Sequence, residues 1–134
     1  MATTKFTFQT NAASAVIKDT DSDITVETNV NTGGGNILQV TIDNSANTVP
    51  HTTVFWDRTD DPGYDSPNWG AGPQLCLLAP ASTSQTYVFP QGIKFENGIS
   101  FGTSTAGGTQ RGSAPSSDVV VTLMIAAADL ATTP

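Results

Sequence analysis

Charge is scarce in this chain: Asp, Glu, Lys and Arg make up 13% of its 134 residues, about half the usual share. Glu27 and Glu96 are the only glutamates. Long helices normally carry Glu, Lys and Arg on their wet faces, so this scarcity speaks against helices, and no amphipathic stretch of useful length is present. One cysteine, Cys76, and one histidine, His51, exclude two further classes. No internal disulfide can form, and a zinc site lacks its sulfur and nitrogen ligands. Basic residues are few as well: Lys5, Lys18, Arg58, Lys94 and Arg111 form no run or stripe, and 12 acidic residues outweigh them to a net charge of −7. Such a surface repels phosphate backbones, so nucleic acid is not an expected partner. The longest apolar run, Val119 to Ala128 with Thr122 inside it, is too short to cross a bilayer, so no membrane partner is expected either. Met1-Ala2-Thr3-Thr4-Lys5-Phe6 lacks the apolar stretch of a signal peptide, which points to synthesis in a cytoplasm without an ordinary cleaved export signal.

Threonine, by contrast, occurs 21 times, and its stiff branched β-carbon suits pleated, half-buried surfaces. Apolar residues recur at every second position, as strands require. Phe6 and Phe8 define a first strand and Val16 and Ile17 a short second one over 14–18. Ile24, Val26, Thr28 and Val30 read as a third, and Leu38, Val40 and Ile42 as a fourth. Val49 to Trp56 forms the next, and Pro50 suggests that its start lies at a sheet edge. Gln74 to Leu78, Gln85 to Phe89, Gly92 to Phe95 and Gly98 to Phe101 follow. Val119 to Ala126, apolar on both faces, reads as a central strand.

Turn chemistry punctuates these runs. Asp19-Thr20-Asp21-Ser22-Asp23 and Asp43-Asn44-Ser45-Ala46-Asn47 bond their own backbones, Gly33-Gly34-Gly35 is a flexible bend, and Asn97-Gly98 is a hairpin signal. Two long loops remain, from Asp57 to Pro73 and from Thr103 to Ser117. The expected architecture is one all-β domain over 1–134 with a frayed tail after about 129. Eight to ten short strands form a β-sandwich, jelly-roll-like rather than a closed barrel, because one-faced strands must bury their apolar faces against a second sheet.

The residues offer little to catalysis. A nucleophile, a base and an orienting group are needed together, yet His51 lies on a strand and Cys76 sits in the apolar run Leu75-Cys76-Leu77-Leu78, where a buried, inert thiol is expected. Paired carboxylates for glycoside hydrolysis find only turn aspartates. The segment from Asp19 begins like a calcium loop, but Ile24 stands where glycine is required and Val30 where the bidentate glutamate belongs. Asp57, Asp60, Asp61 and Asp65 form a second acidic group without a ligand spacing. No enzyme activity, metal or cofactor is expected. What remains is aromatic. Trp69 and Tyr64, beside Asp60 and Asp61, are the interface candidates, able to anchor a protein contact or stack on a sugar. They read equally well as a lid over one end of the core.

Three segments carry a resemblance: Leu38-Gln39-Val40-Thr41-Ile42-Asp43-Asn44-Ser45-Ala46-Asn47, then Phe89-Pro90-Gln91-Gly92-Ile93-Lys94-Phe95-Glu96-Asn97-Gly98-Ile99, then Ala106-Gly107-Gly108-Thr109 through Ala114-Pro115-Ser116-Ser117-Asp118-Val119-Val120-Val121. In that order the chain resembles small virion proteins of tailed bacteriophages, of the capsid decoration or cement type, over roughly residues 36 to 125. The motifs are turn-and-strand patterns and not catalytic signatures. The resemblance implies a jelly-roll-like sandwich, a homo-oligomer with a trimer preferred, and docking on the major capsid protein at the outer surface of the virion. It brings no catalytic residues, and it does not extend to the loop from Asp57 to Pro73. The competing class is a recognition module of a phage tail, or a lectin-like domain, that binds glycans through Trp69 and Tyr64.

Overall fold

The computed structural model describes residues 3–7 and 15–126, and they form ten strands and no helix. In chain order the strands are β1 Thr3–Thr7, β2 Ala15–Asp19, β3 Gly35–Asp43, β4 His51–Trp56, β5 Tyr64–Asp65, β6 Asn68–Trp69, β7 Leu75–Ala79, β8 Ser84–Phe95, β9 Ser100–Ser104 and β10 Val120–Ala126. Phe8 and the C-terminal tail lie outside the described residues. Five strands make one antiparallel sheet in the order β1-β2-β10-β3-β8, three make another in the order β7-β4-β9, and β5 and β6 form a small ribbon.

The two larger sheets pack face to face, as alternation demands. Ile17 of β2, Ile42 of β3 and Val121, Leu123 and Ile125 of β10 meet Phe55 of β4, Leu77 of β7 and Phe101 of β9 in one buried cluster. The rings of Phe55 and Phe101 lie 5.6 Å apart. β10 is central, paired on one side with β2 and on the other with β3. Its outward residues are less covered than its apolar sequence suggests: Met124 is exposed, and Val120 and Thr122 are half-buried.

Several expectations need correction. Residues 24–30 keep their alternation, and Val26 is buried, but they form no regular strand. The Asp23 carboxylate takes the Thr25 N–H at 2.8 Å, and Asn29 adopts a left-handed φ of 47°, so the pleat cannot run through. The segment still lies beside β9, where Glu27 and Phe101 exchange backbone hydrogen bonds and Val30 N–H donates to Ile99 C=O. Pro50 does not mark an edge: it precedes β4, which is the middle strand of its sheet. Leu38 does not continue the inward row of Val40 and Ile42, because a bulge shifts the register between Ile37 and Gln39 and puts Ile37 in the core.

The strands expected at 85–89 and 92–95 are one. Gln39 pairs with Val88 and Ile37 with Ile93, so Leu38 alone faces the four residues Phe89, Pro90, Gln91 and Gly92. Gly92 makes this bulge possible with a φ of 78°. Asn97-Gly98 closes no hairpin. It carries the chain from β8 in one sheet to β9 in the other, held by the Asp57 carboxylate, which accepts the N–H groups of Asn97 and Gly98.

Cys76 is not a core thiol. It points outward from β7 and is exposed, because Leu77 and Ala79 take the inward positions. Partial burial of the sulfur pushes the thiol pKa up, opposed by its bond to Gly108 C=O of a neighbouring loop at 3.7 Å.

Candidate interaction site

β4 is buried along its whole length, on both faces. Its inward side faces the main core through Phe55; its outward side, Val54 and Trp56, joins a second buried cluster with Val26 and Trp69. This second cluster builds the candidate site, because Trp69 and Ala71 of the first long loop cover it together with Ile24 and Val26. The ribbon of β5 and β6 projects from the loop after β4 and pairs Tyr64 with Trp69 and Asp65 with Asn68. The second loop is stitched to it: Trp69 N–H donates to Thr109 C=O at 2.8 Å and Arg111 N–H to Pro67 C=O at 2.9 Å. Gly70 admits no side chain, since a β-carbon there would fall 2.3 Å from the Pro62 carbonyl oxygen.

The four candidate residues part company here. Trp69 is not an exposed anchor. It is only 4% exposed, with its ring edge-on to Trp56 at 4.7 Å, and a β-carbon on Gly102 would lie 3.4 Å from its ring. Of the two readings left open, the lid over the core is the one realised for Trp69. Its Nε1–H is buried without an acceptor, whereas Trp56 Nε1 donates to Ala71 C=O at 2.9 Å. Tyr64 is 51% exposed. The Arg111 guanidinium lies 4.1 Å above its ring and 5.8 Å from that of Trp69. Arg111 escaped the sequence reading because 47 positions separate it from Tyr64, and only the stitched loops bring it there.

Asp60 and Asp61 are exposed and separately engaged. Arg58 Nε donates to Asp60 at 2.7 Å, which holds that carboxyl below the usual carboxylate range. Asp61 accepts the Gly63 N–H at 2.7 Å. A shallow polar depression of about 760 Å³ lies beside them, bounded by Trp56, Asp57, Arg58, Asp60, Gln74 and Asn97. The carboxylates around it do not converge: among the described residues no three of His, Cys, Asp or Glu are placed to hold a metal. His51 and Cys76 are also apart, opposite Ala79 and Val54 on the β4–β7 ladder.

Asp19 belongs to none of the sequence candidates. Alternation from Ala15 and Ile17 carries it to an inward position at the end of β2, fully buried. One carboxylate oxygen accepts the Asp21 N–H at 3.2 Å, and the other has no hydrogen-bond partner among the described residues. Burial pushes its pKa up to about 7. The alternation from Ala15 and Ile17 is the one sequence signal for it, and the run of turn residues that begins at Asp19 masks that signal.

No protein-family model matches the chain, and a search of the curated proteins finds no relative.

Proposed function

We propose that this protein is a structural virion component that self-associates and docks on the major capsid protein of a bacteriophage shell, stabilising it through protein–protein contacts without catalysis. The observation that carries the reading is the outer face of the five-stranded sheet. Val16, Met124, Gln39 and Val88 lie side by side across four strands, and Lys18, Thr122, Thr41 and Thr86 form the next row. Val88 is 61% exposed and Met124 37%. Only Lys18 brings charge to these rows, on a chain whose net charge is −7. A flat, nearly uncharged, threonine-rich face can meet another protein surface with little desolvation of charge.

The jelly-roll arrangement belongs to the same proposal, and the strand order supports it. β2-β10-β3-β8 lies opposite a second set formed by residues 23–30, β9, β4 and β7. Along the chain every connection from β2 onward crosses between the sheets except the one from β4 to β7. That is the winding of two intertwined Greek keys.

Such a protein stabilises a shell by mass action: binding the assembled lattice and not its free subunits shifts the equilibrium toward the lattice. Mixing the protein with shells of the phage that encodes it, then pelleting, tests this. The protein is expected in the pellet, and decorated shells are expected to resist heat longer. Glycan recognition is the competing outcome. It has lost its stacking platform, since Trp69 is buried and Arg111 covers one face of Tyr64. A strict monomer that ignores shells and binds oligosaccharides would reverse the choice.

A further inference from the structure

The ribbon has two faces of different chemistry. Tyr64 and Trp69 are cross-strand partners and share one face, on which the Arg111 guanidinium rests. Asp65 and Asn68, the next pair, point to the opposite face, because side chains alternate along a strand. The Arg111 guanidinium is held in place by the stack on Tyr64 and by its backbone bond to Pro67. Arg58 and Lys94 have carboxylate partners in Asp60 and Glu96. No carboxylate among the described residues pairs with Arg111, and Asp65 likewise has no cation of its own. One chain thus carries a half-buried Arg111 on the ribbon face that also covers Trp69, and an exposed carboxylate, Asp65, on the other.

We infer that the ribbon joins copies of this chain head to tail, the Arg111–Tyr64 face of one copy receiving the Asp65 carboxylate of the next. This deepens the self-association proposed above and rests on it. The occupant follows from charge: the socket is cationic, the chain is acidic, and the free carboxylate lies on the same ribbon. A guanidinium offers paired donors to a carboxylate, and Tyr and Arg are the residue types that dominate interface energies. Because donor and acceptor lie on opposite faces, the contact is between unlike surfaces. Such contacts close into rings, a trimer included, where the rotation closes, and run on as open filaments where it does not.

Sedimentation velocity over a range of protein and salt concentrations tests this, with circular dichroism as a check on folding. The wild type is expected to be oligomeric and to loosen as salt rises. Arg111→Asp and Asp65→Arg should each weaken association ~30-fold, and the double variant carrying both changes should regain most of it. Should Arg111→Asp fail to fold, Asp65→Asn decides, since Asp65 is exposed; it should weaken association in the same direction. An oligomer indifferent to all of these changes would overturn the ribbon contact and leave self-association standing. A wild-type monomer at every concentration would overturn both.

Discussion

Two hydrophobic clusters flank β4, and they are built by different means. The main core lies between two sheets, and all its members but Ile99 and Val119 come from seven strands. The second cluster lies outside the small sheet, where Val54 and Trp56 are covered by Val26, Trp69 and Ala71, none of them in the two large sheets. Regular structure makes the first cluster self-supporting. The second depends on two loops that hold each other through Trp69–Thr109 and Arg111–Pro67. The ribbon carrying Tyr64, and the loop that brings Arg111 to it, are therefore anchored by a part of the molecule able to loosen without the sandwich opening.

That contrast can be broken most severely from the main core. Phe55→Ala removes a ring with no exposure that packs on Phe101. It should cost about 5 kcal/mol, near the top of the range for such truncations, and chemical denaturation should show the whole domain weakened. A small loss confined to the loops would mean that the two clusters do not differ as described.

Asp19 tests the same core through pH. Its pKa rises from an ordinary 3.8 to about 7 in the folded protein, so the folded state holds this proton more tightly than the unfolded chain. The stability it contributes is complete below about pH 4 and is lost as pH rises to and through 7. The gap corresponds to about 4 kcal/mol. Asp19→Asn should flatten this fall, making the variant the more stable protein at pH 9. Comparing the two proteins across pH cancels the carboxylates they share, including Asp43, whose bonds from Ser45 hold it below the ordinary range. Parallel stability curves would show that Asp19 is not buried as a neutral acid.

Trp69→Ala acts on the second cluster, at about 3 kcal/mol. Hydrogen exchange should speed up in residues 57–73 and 105–112 while β10 and β3 stay protected. Uniform loss of protection would merge the two clusters into one cooperative unit. The mildest probe is Gly102→Ala, whose β-carbon would sit 3.1 Å from Asp23 C=O, 3.3 Å from Val26 and 3.4 Å from Trp69. It should wedge the lid slightly off the sheet, at about 1 kcal/mol, with a change in tryptophan fluorescence larger than the change in melting temperature.

The sequence was legible where one period governs both faces of a strand. The all-β class and the two long loops follow from alternation and turn residues, and the central position of β10 from a run apolar on both faces. Residues 24–30 show the limit: the period is present, but local competition from Asp23 and a left-handed Asn29 breaks the ladder. Leu38 and the run from Phe89 to Gly92 show another, since a bulge inverts which residue points inward. Cys76 was misread because an apolar neighbourhood in sequence does not decide which face a residue takes. At the candidate site, Tyr64, Asp60 and Asp61 are exposed as expected of interface candidates. Trp69 is not, because its ring was needed to cover Trp56. Arg111 was invisible because its partner comes from a distant loop.

The proposed shell docking can be tested directly. Density maps of the phage shell with and without the protein should differ by knobs on the outer surface, spaced as the lattice dictates and each large enough for a small ring of 13.9 kDa chains. Identical maps, or extra density only at the tail or inside the shell, would contradict the assignment.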